Sequence, residues 1–176
     1  MIKNTLKLWG TFLLDHLMAF ILAVILSAAL AAVRLVEMQT ARIILTVFTT
    51  FMHCVLLYAS AQKEGGRDSN RVNYKQMKKF MLKGTAASAA AVLPPLFIYI
   101  SALVKMPGMP DPQTSLGLFK VICWQNIEFI NLLEFSVPLT GLVLLIPIVA
   151  ATLGYLAGYY DFTLLDKLVY VKDNKK

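Results

Sequence analysis

Four stretches of this chain, residues 17–33, 43–61, 84–104 and 135–160, contain no Asp, Glu, Lys or Arg. A helix crosses the roughly 30 Å hydrocarbon layer of a membrane in about 20 residues, so each stretch is long enough or nearly so. Backbone amides find no water in that layer, so the spanning elements must be helices that bond internally. The pattern predicts an all-α integral membrane protein of one domain with four transmembrane helices, over about residues 17–36, 43–61, 84–104 and 137–160. Residues 62–83 then form a basic cytoplasmic loop, 105–134 an external segment, and 161–176 a tail.

Polar positions inside the apolar runs say which faces turn inward. In the second run Thr46, Thr49, Thr50, His53 and Ser60 recur near helical spacing, with Leu57 interrupting the row. Such side chains should face the bundle rather than lipid. His53 lies about 15 Å from the outer end of that run, near mid-membrane. The third run opens GTAASAAA, with Gly84 and Ser88 four apart, and the fourth contains GYLAG, with Gly154 and Gly158 in the same relation. Lipid tails are as apolar as leucine, so small residues that admit a close neighbour hold membrane helices together. These faces predict close packing of the third and fourth helices. Pro94-Pro95 and Pro147 should kink the same two helices. No acidic residue adjoins either break, which favours a change of shape over an ion site.

The stretch FLLDHLMAF sets Asp15 and His16 in the approach to the first span. If that helix starts at Trp9, Asp15 lies about 9 Å from its inner end, near the headgroup boundary. A carboxylate at mid-bilayer costs about 2.5 to 3.5 kcal/mol on insertion scales, so a boundary placement is favoured. Direct contact between Asp15 and the deeper His53 would need helix tilt. Asp15, His16, His53 and Thr50 are therefore read as a polar site, either structural or a proton or ion site.

The two longer connections have their own patterns. Gly65-Gly66 is expected to end the second helix. Asp68, Ser69 and Asn70 would cap a short surface helix after it, with Lys75, Lys78, Lys79 and Lys83 toward lipid headgroups. Outside, KMPGMPDPQTS is a stiff proline-rich link. In the following segment, residues 114–134, Lys120, Gln125, Glu128 and Asn131 cluster on one side at 100° per residue. Leu116, Phe119, Ile122, Cys123, Ile127 and Ile130 lie largely opposite, while Asn126 and Glu134 fall off the polar side. That predicts an amphipathic helix on the outer face, toward lipid, the bundle or a partner.

Composition agrees, with 58% hydrophobic and 15% charged residues against a soluble average near a quarter charged. The placement of charge matters more than the net +7. Thirteen of the seventeen basic residues fall before the first span, between the second and third, or after the fourth. The positive-inside rule puts both termini and the middle loop in the cytoplasm, facing an anionic inner leaflet. Trp9, Tyr155, Tyr159 and Tyr160 sit at the same level as an aromatic belt. No nucleic-acid-binding pattern accompanies the charge. Lys3 and Lys7 with Ala29-Leu30-Ala31 mimic a signal peptide, but the apolar stretch is too long, and an uncleaved helix is expected. Cys54 and Cys123 read as small buried hydrophobes rather than a disulfide or redox pair.

The pieces GGRDSNRV and GYLAGYYDFTLLDKLVYVKDNKK, with the small-residue start of the third span, resemble a family of small bacterial four-helix integral membrane proteins. The resemblance covers about a third of the chain and implies a bacterial plasma-membrane location, but no activity. The chain has no HExxH, GxSxG, Walker A or dinucleotide-binding pattern, and neither a cofactor nor a metal is expected. The expectation is a non-enzymatic accessory or scaffold subunit that binds other membrane proteins or itself. The alternative is a small oligomeric transporter or channel using the polar stripe of the second helix.

Overall fold

The computed structural model describes residues 2–34, 38–76, 80–104, 108–133 and 137–161. It is all-helical among the described residues. The long elements are α1 (Ile2–Ala32), α2 (Gln39–Asn73) and α8 (Leu145–Tyr159). Between them lie α3 (Lys83–Ala91), α4 (Leu93–Leu103), α5 (Pro112–Ile122), a 3₁₀ turn (Trp124–Asn126), α6 (Ile127–Leu133), α7 (Val137–Thr140) and a second 3₁₀ turn (Gly141–Leu144). Three helices are long and apolar enough to cross a membrane: Asn4–Ala32, Gln39–Asn73 and the joined Val137–Tyr159. Two bent pairs, α3 with α4 at 52° and α5 with the segment Trp124–Leu133 at 88°, raise the number to as many as five. Leu14, Leu17, Met18, Ile25, Ile44, Phe51 and Leu153 are each more than half exposed, a surface suited to lipid.

α2 and α8 form the tightest pair, and the reason is the absence of side chains. A Cβ on Gly154 would collide with the Tyr58 carbonyl, and one on Gly158 with the Gln62 carbonyl. From the other side, a Cβ on Gly65 would collide with the Tyr155 carbonyl. Gly65 and Gly66 therefore do not end the second helix, which continues to Asn73. A glycine inside a helix costs about 1 kcal/mol against alanine. Here that loss is offset by backbone-to-backbone contact with α8, which local propensity does not register. Asp68, Ser69 and Asn70 lie within α2 rather than capping a new helix. Gly84 and Ser88 of α3 also meet α8: Gly84 lies against the Tyr155 side chain, and the Ser88 hydroxyl donates to the Pro147 carbonyl at 3.2 Å. The Gly154/Gly158 face of α8 is turned toward α2 instead.

Lys83 is not at a headgroup surface. It is fully buried, with Nζ 2.6 Å from Asp68 Oδ2 and 3.0 Å from Glu64 Oε1. Arg71 reaches Asp68 Oδ1 at 2.9 Å, and the Tyr155 hydroxyl donates to Asp68 Oδ2 at 3.0 Å. Lys83 and Asp68, both fully buried, balance each other, while Glu64 is also approached by Arg71 at 3.4 Å and by the more exposed Arg67 at 3.6 Å. A lysine at a helix start opposes the helix dipole, and the carboxylates offset that too. Lys75 is exposed just beyond α2, while Lys78 and Lys79 lie outside the described residues.

Two apolar clusters divide the interior. Leu8, Phe12, Leu57, Ala61, Ala87 and Tyr155 join α1, α2, α3 and α8. Tyr99, Phe119, Cys123, Ile130, Val143 and Leu144 join α4, α5, α6 and the second 3₁₀ turn. The segment expected to be one amphipathic helix is broken at Cys123 and turns by 88°. Asp111 caps α5 by accepting from Thr114 N at 3.0 Å, with Pro112 in its first turn. The break turns the polar groups of Gln125 and Asn126 inward.

Removing one partner of a buried ion pair typically costs about 3 to 5 kcal/mol, because the other charge is left uncompensated. Lys83→Met should therefore lower stability by about 3 kcal/mol in detergent unfolding followed by tryptophan fluorescence. Adding Asp68→Asn should restore part of the loss. Equal stability of Lys83→Met and the native chain would contradict the buried-pair assignment.

Candidate functional site

α1 presents Leu8, Phe12, Ala19 and Ala23 as its buried positions, and His16 lies on the same row. α2 buries Thr46, Thr49, Thr50 and His53, with Leu57 continuing the row into the apolar cluster. The two rows meet at the histidines. His53 Nε2 lies 2.8 Å from His16 Nδ1, with ring centroids 4.6 Å apart and planes at 61°. His53 is 1% exposed.

The turn Trp124–Asn126 inserts beside this pair. The Thr49 hydroxyl donates to the Gln125 carbonyl at 2.9 Å. The Thr50 hydroxyl lies 3.0 Å from the same carbonyl and 2.7 Å from Asn126 Oδ1. One hydroxyl proton serves one acceptor at a time, so Thr50 chooses between them. Trp124 Nε1 donates to Ser27 Oγ at 3.0 Å, tying the turn to α1. Near the start of α2, Arg42 and Glu128 approach to 3.5 Å and join α2 to α6.

A cavity of about 160 Å³ lies between the two apolar clusters, with both histidines, Gln125 and Asn126 in its wall. Its other walls include Pro94, Pro95 and Pro147, so it forms where helices are interrupted. The 52° bend at Val92 follows from prolines that supply no amide proton to the preceding turn. The 3₁₀ turns Trp124–Asn126 and Gly141–Leu144 are the other two interruptions at its wall. Three buried atoms in this region have no hydrogen-bond partner: His16 Nε2, His53 Nδ1 and Gln125 Oε1. Buried polar atoms are nearly always satisfied, so three at one cavity mark it as a place for a guest.

Asp15 is half-buried beside the pair rather than in it. The Ser60 side chain hydrogen-bonds its carboxyl, and Oδ2 has no partner. The depth argument had set Asp15 against His53, but the residue at the matching level is His16, one position deeper. The spacing of 8, 12, 16, 19 and 23 along α1 is the signal that identifies it. Sequence reasoning also missed Gln125 as a site residue; Asn126 falling off the polar side of the expected helix was the sign that this helix would not stay straight. Among the described residues, no three His, Cys, Asp or Glu converge to hold a metal ion.

No family model, curated protein or solved structure matches the chain.

Replacing Thr49 and Thr50 together by valine leaves the Gln125 carbonyl and the Asn126 side chain without their donors. The penalty for each unsatisfied buried group is about 1 to 3 kcal/mol. The turn should loosen, and Cys123, now buried, should react faster with a small maleimide while Cys54 reacts as before. An unchanged Cys123 rate would show that the threonines do not hold the turn.

Proposed function

We propose that the protein is a bacterial plasma-membrane protein with four crossings and both termini in the cytoplasm, working as a small oligomeric transporter or channel. In this reading α1, α2, the bent pair α3–α4 and the joined α7–α8 span the bilayer. The α5–α6 pair, bent at a right angle, sits at the outer side and brings the turn Trp124–Asn126 into the bundle. The positive-inside distribution of lysine and arginine supports the orientation. Lys75, with Lys78 and Lys79 beyond the described residues, would face anionic inner-leaflet lipid.

The observation that carries the function is the cavity where three helix interruptions meet two histidines and Gln125. Transporters place their sites near mid-bilayer, at discontinuous helices and polar groups held away from lipid. Four crossings are few for alternating access by one chain, so self-association completes the device.

A second reading is an accessory subunit that binds other membrane proteins. It is favoured by an apolar outward groove of about 620 Å³ between α2 and α8, lined by Val55, Tyr58, Leu145, Val149 and Leu153 among others. The two readings separate by experiment. Purified protein in liposomes should pass a small ion or solute, and His53→Ala should change that flux. Silence across a broad solute panel, with stoichiometric co-purification of another membrane protein in mild detergent, would replace the first reading with the second.

A further inference from the structure

The histidine pair has a property that its bond length and its two bare ends define together. Two neutral imidazoles 2.8 Å apart share one proton between His53 Nε2 and His16 Nδ1. A neutral ring carries one N–H and one lone pair. If His53 Nε2 donates, His53 Nδ1 is a lone pair and His16 Nε2 carries a proton. If His16 Nδ1 donates, the outer ends exchange roles. In both arrangements one end of the pair is a donor and the other an acceptor. Both outer atoms lack a protein partner, and both rings line the cavity.

We propose that His16 and His53 form a two-ring proton relay, and that the proton is the species handled at this site. In the forward step a proton binds the lone pair of His53 Nδ1. His53 then passes its Nε2 proton to His16 Nδ1, and His16 releases its Nε2 proton. One proton enters, one leaves, and both rings finish neutral in the opposite tautomer. Ring rotation carries each N–H with it and leaves the tautomer unchanged. The start is restored when a proton passes the other way, or when each ring takes a proton from cavity water at one nitrogen and gives one up at the other. Gln125 Oε1, 4% exposed at the residue level and without a partner, is an acceptor placed to hold a water or hydronium in the cavity. The cavity has room for water at its polar side.

The titratable neighbours are few. Asp15 on α1 is held by Ser60, Cys54 follows His53 on α2, and Cys123 lies in the wall at the turn. The walls from α3, α4 and α8 are apolar. No lysine, arginine or glutamate lines the cavity, so no fixed charge pins the pair in one tautomer.

The inference rests on the transport reading, and the test separates the two. The full chain, labelled with ¹⁵N-histidine, is placed in lipid nanodiscs. Both rings should show Nδ1–H and Nε2–H forms in exchange. A single fixed tautomer at either ring overturns the relay, and this readout needs no variant to fold. In parallel, liposomes with a trapped pH dye and a potassium diffusion potential report proton uptake. His16→Gln or His53→Gln should reduce uptake on the order of a hundredfold. Uptake that survives in either folded variant overturns the relay. Flux of other solutes without proton uptake also overturns it while leaving the transport reading in place. Absence of all flux removes the transport reading, and the tautomer exchange alone then decides whether the pair relays.

Discussion

The backbone contact between α2 and α8 is the constraint on which the rest depends. Gly154 and Gly158 let the α8 backbone meet the carbonyls of Tyr58 and Gln62, and Gly65 returns the favour at Tyr155. In lipid there is no hydrophobic gain from bringing two helices together, so van der Waals contact and polar bonds must suffice. The close approach also brings the Tyr155 hydroxyl to Asp68. A helix held farther out by side chains would leave that carboxylate with less to neutralise it. The same approach sets the place of α3, whose Lys83 completes the ion cluster and whose Ser88 binds the Pro147 carbonyl.

From that fixed end the bundle loosens outward. Proline bends α3 away from α4 at Val92. A 3₁₀ turn precedes α8, and α5 meets the segment of α6 at 88°. Helices that bend apart leave a gap between two apolar clusters, and a gap lined by hydrocarbon alone would collapse or fill with lipid. Here Gln125 and Asn126 enter it, because Thr49 and Thr50 supply the donors that their oxygen atoms need. The threonines of α2 act as the socket for the turn, and the histidines one helical turn further in line the space that the turn does not fill.

The apolar runs were legible because hydropathy over 20 residues outweighs every local signal in a chain of this composition. The ends of elements were not, and each case has a physical cause. Gly65-Gly66 reads as a stop by propensity, yet it is a contact surface for a helix about ninety residues later. Lys83 reads as one more basic residue in a loop, because its partners Glu64 and Asp68 lie 19 and 15 residues back on another element. The segment around Cys123 shows an amphipathic wheel, but Asn126 violates it, and the chain obeys the violation. His53 was legible as a deep polar residue in need of a partner. Its partner was hidden by attention to the charge of Asp15 rather than to the inward row of α1.

The polar groups of this bundle are sorted by charge. The fully buried full charges are Asp68 and Lys83, which pair with each other and with Arg71 and Glu64 beside them, while Arg42 and Glu128 pair nearer the surface. The cavity wall carries only groups that are neutral or able to be so: two imidazoles, two amides and a thiol. An ion fixed at mid-bilayer carries a standing penalty, whereas a neutral imidazole pair carries only the smaller cost of unpaired neutral atoms in either tautomer. In the proposed relay a site built this way meets charge only while a proton is passing. The unpaired nitrogens and the bare Gln125 oxygen are then what such a site requires, since a permanent partner at either end would hold the proton in one place.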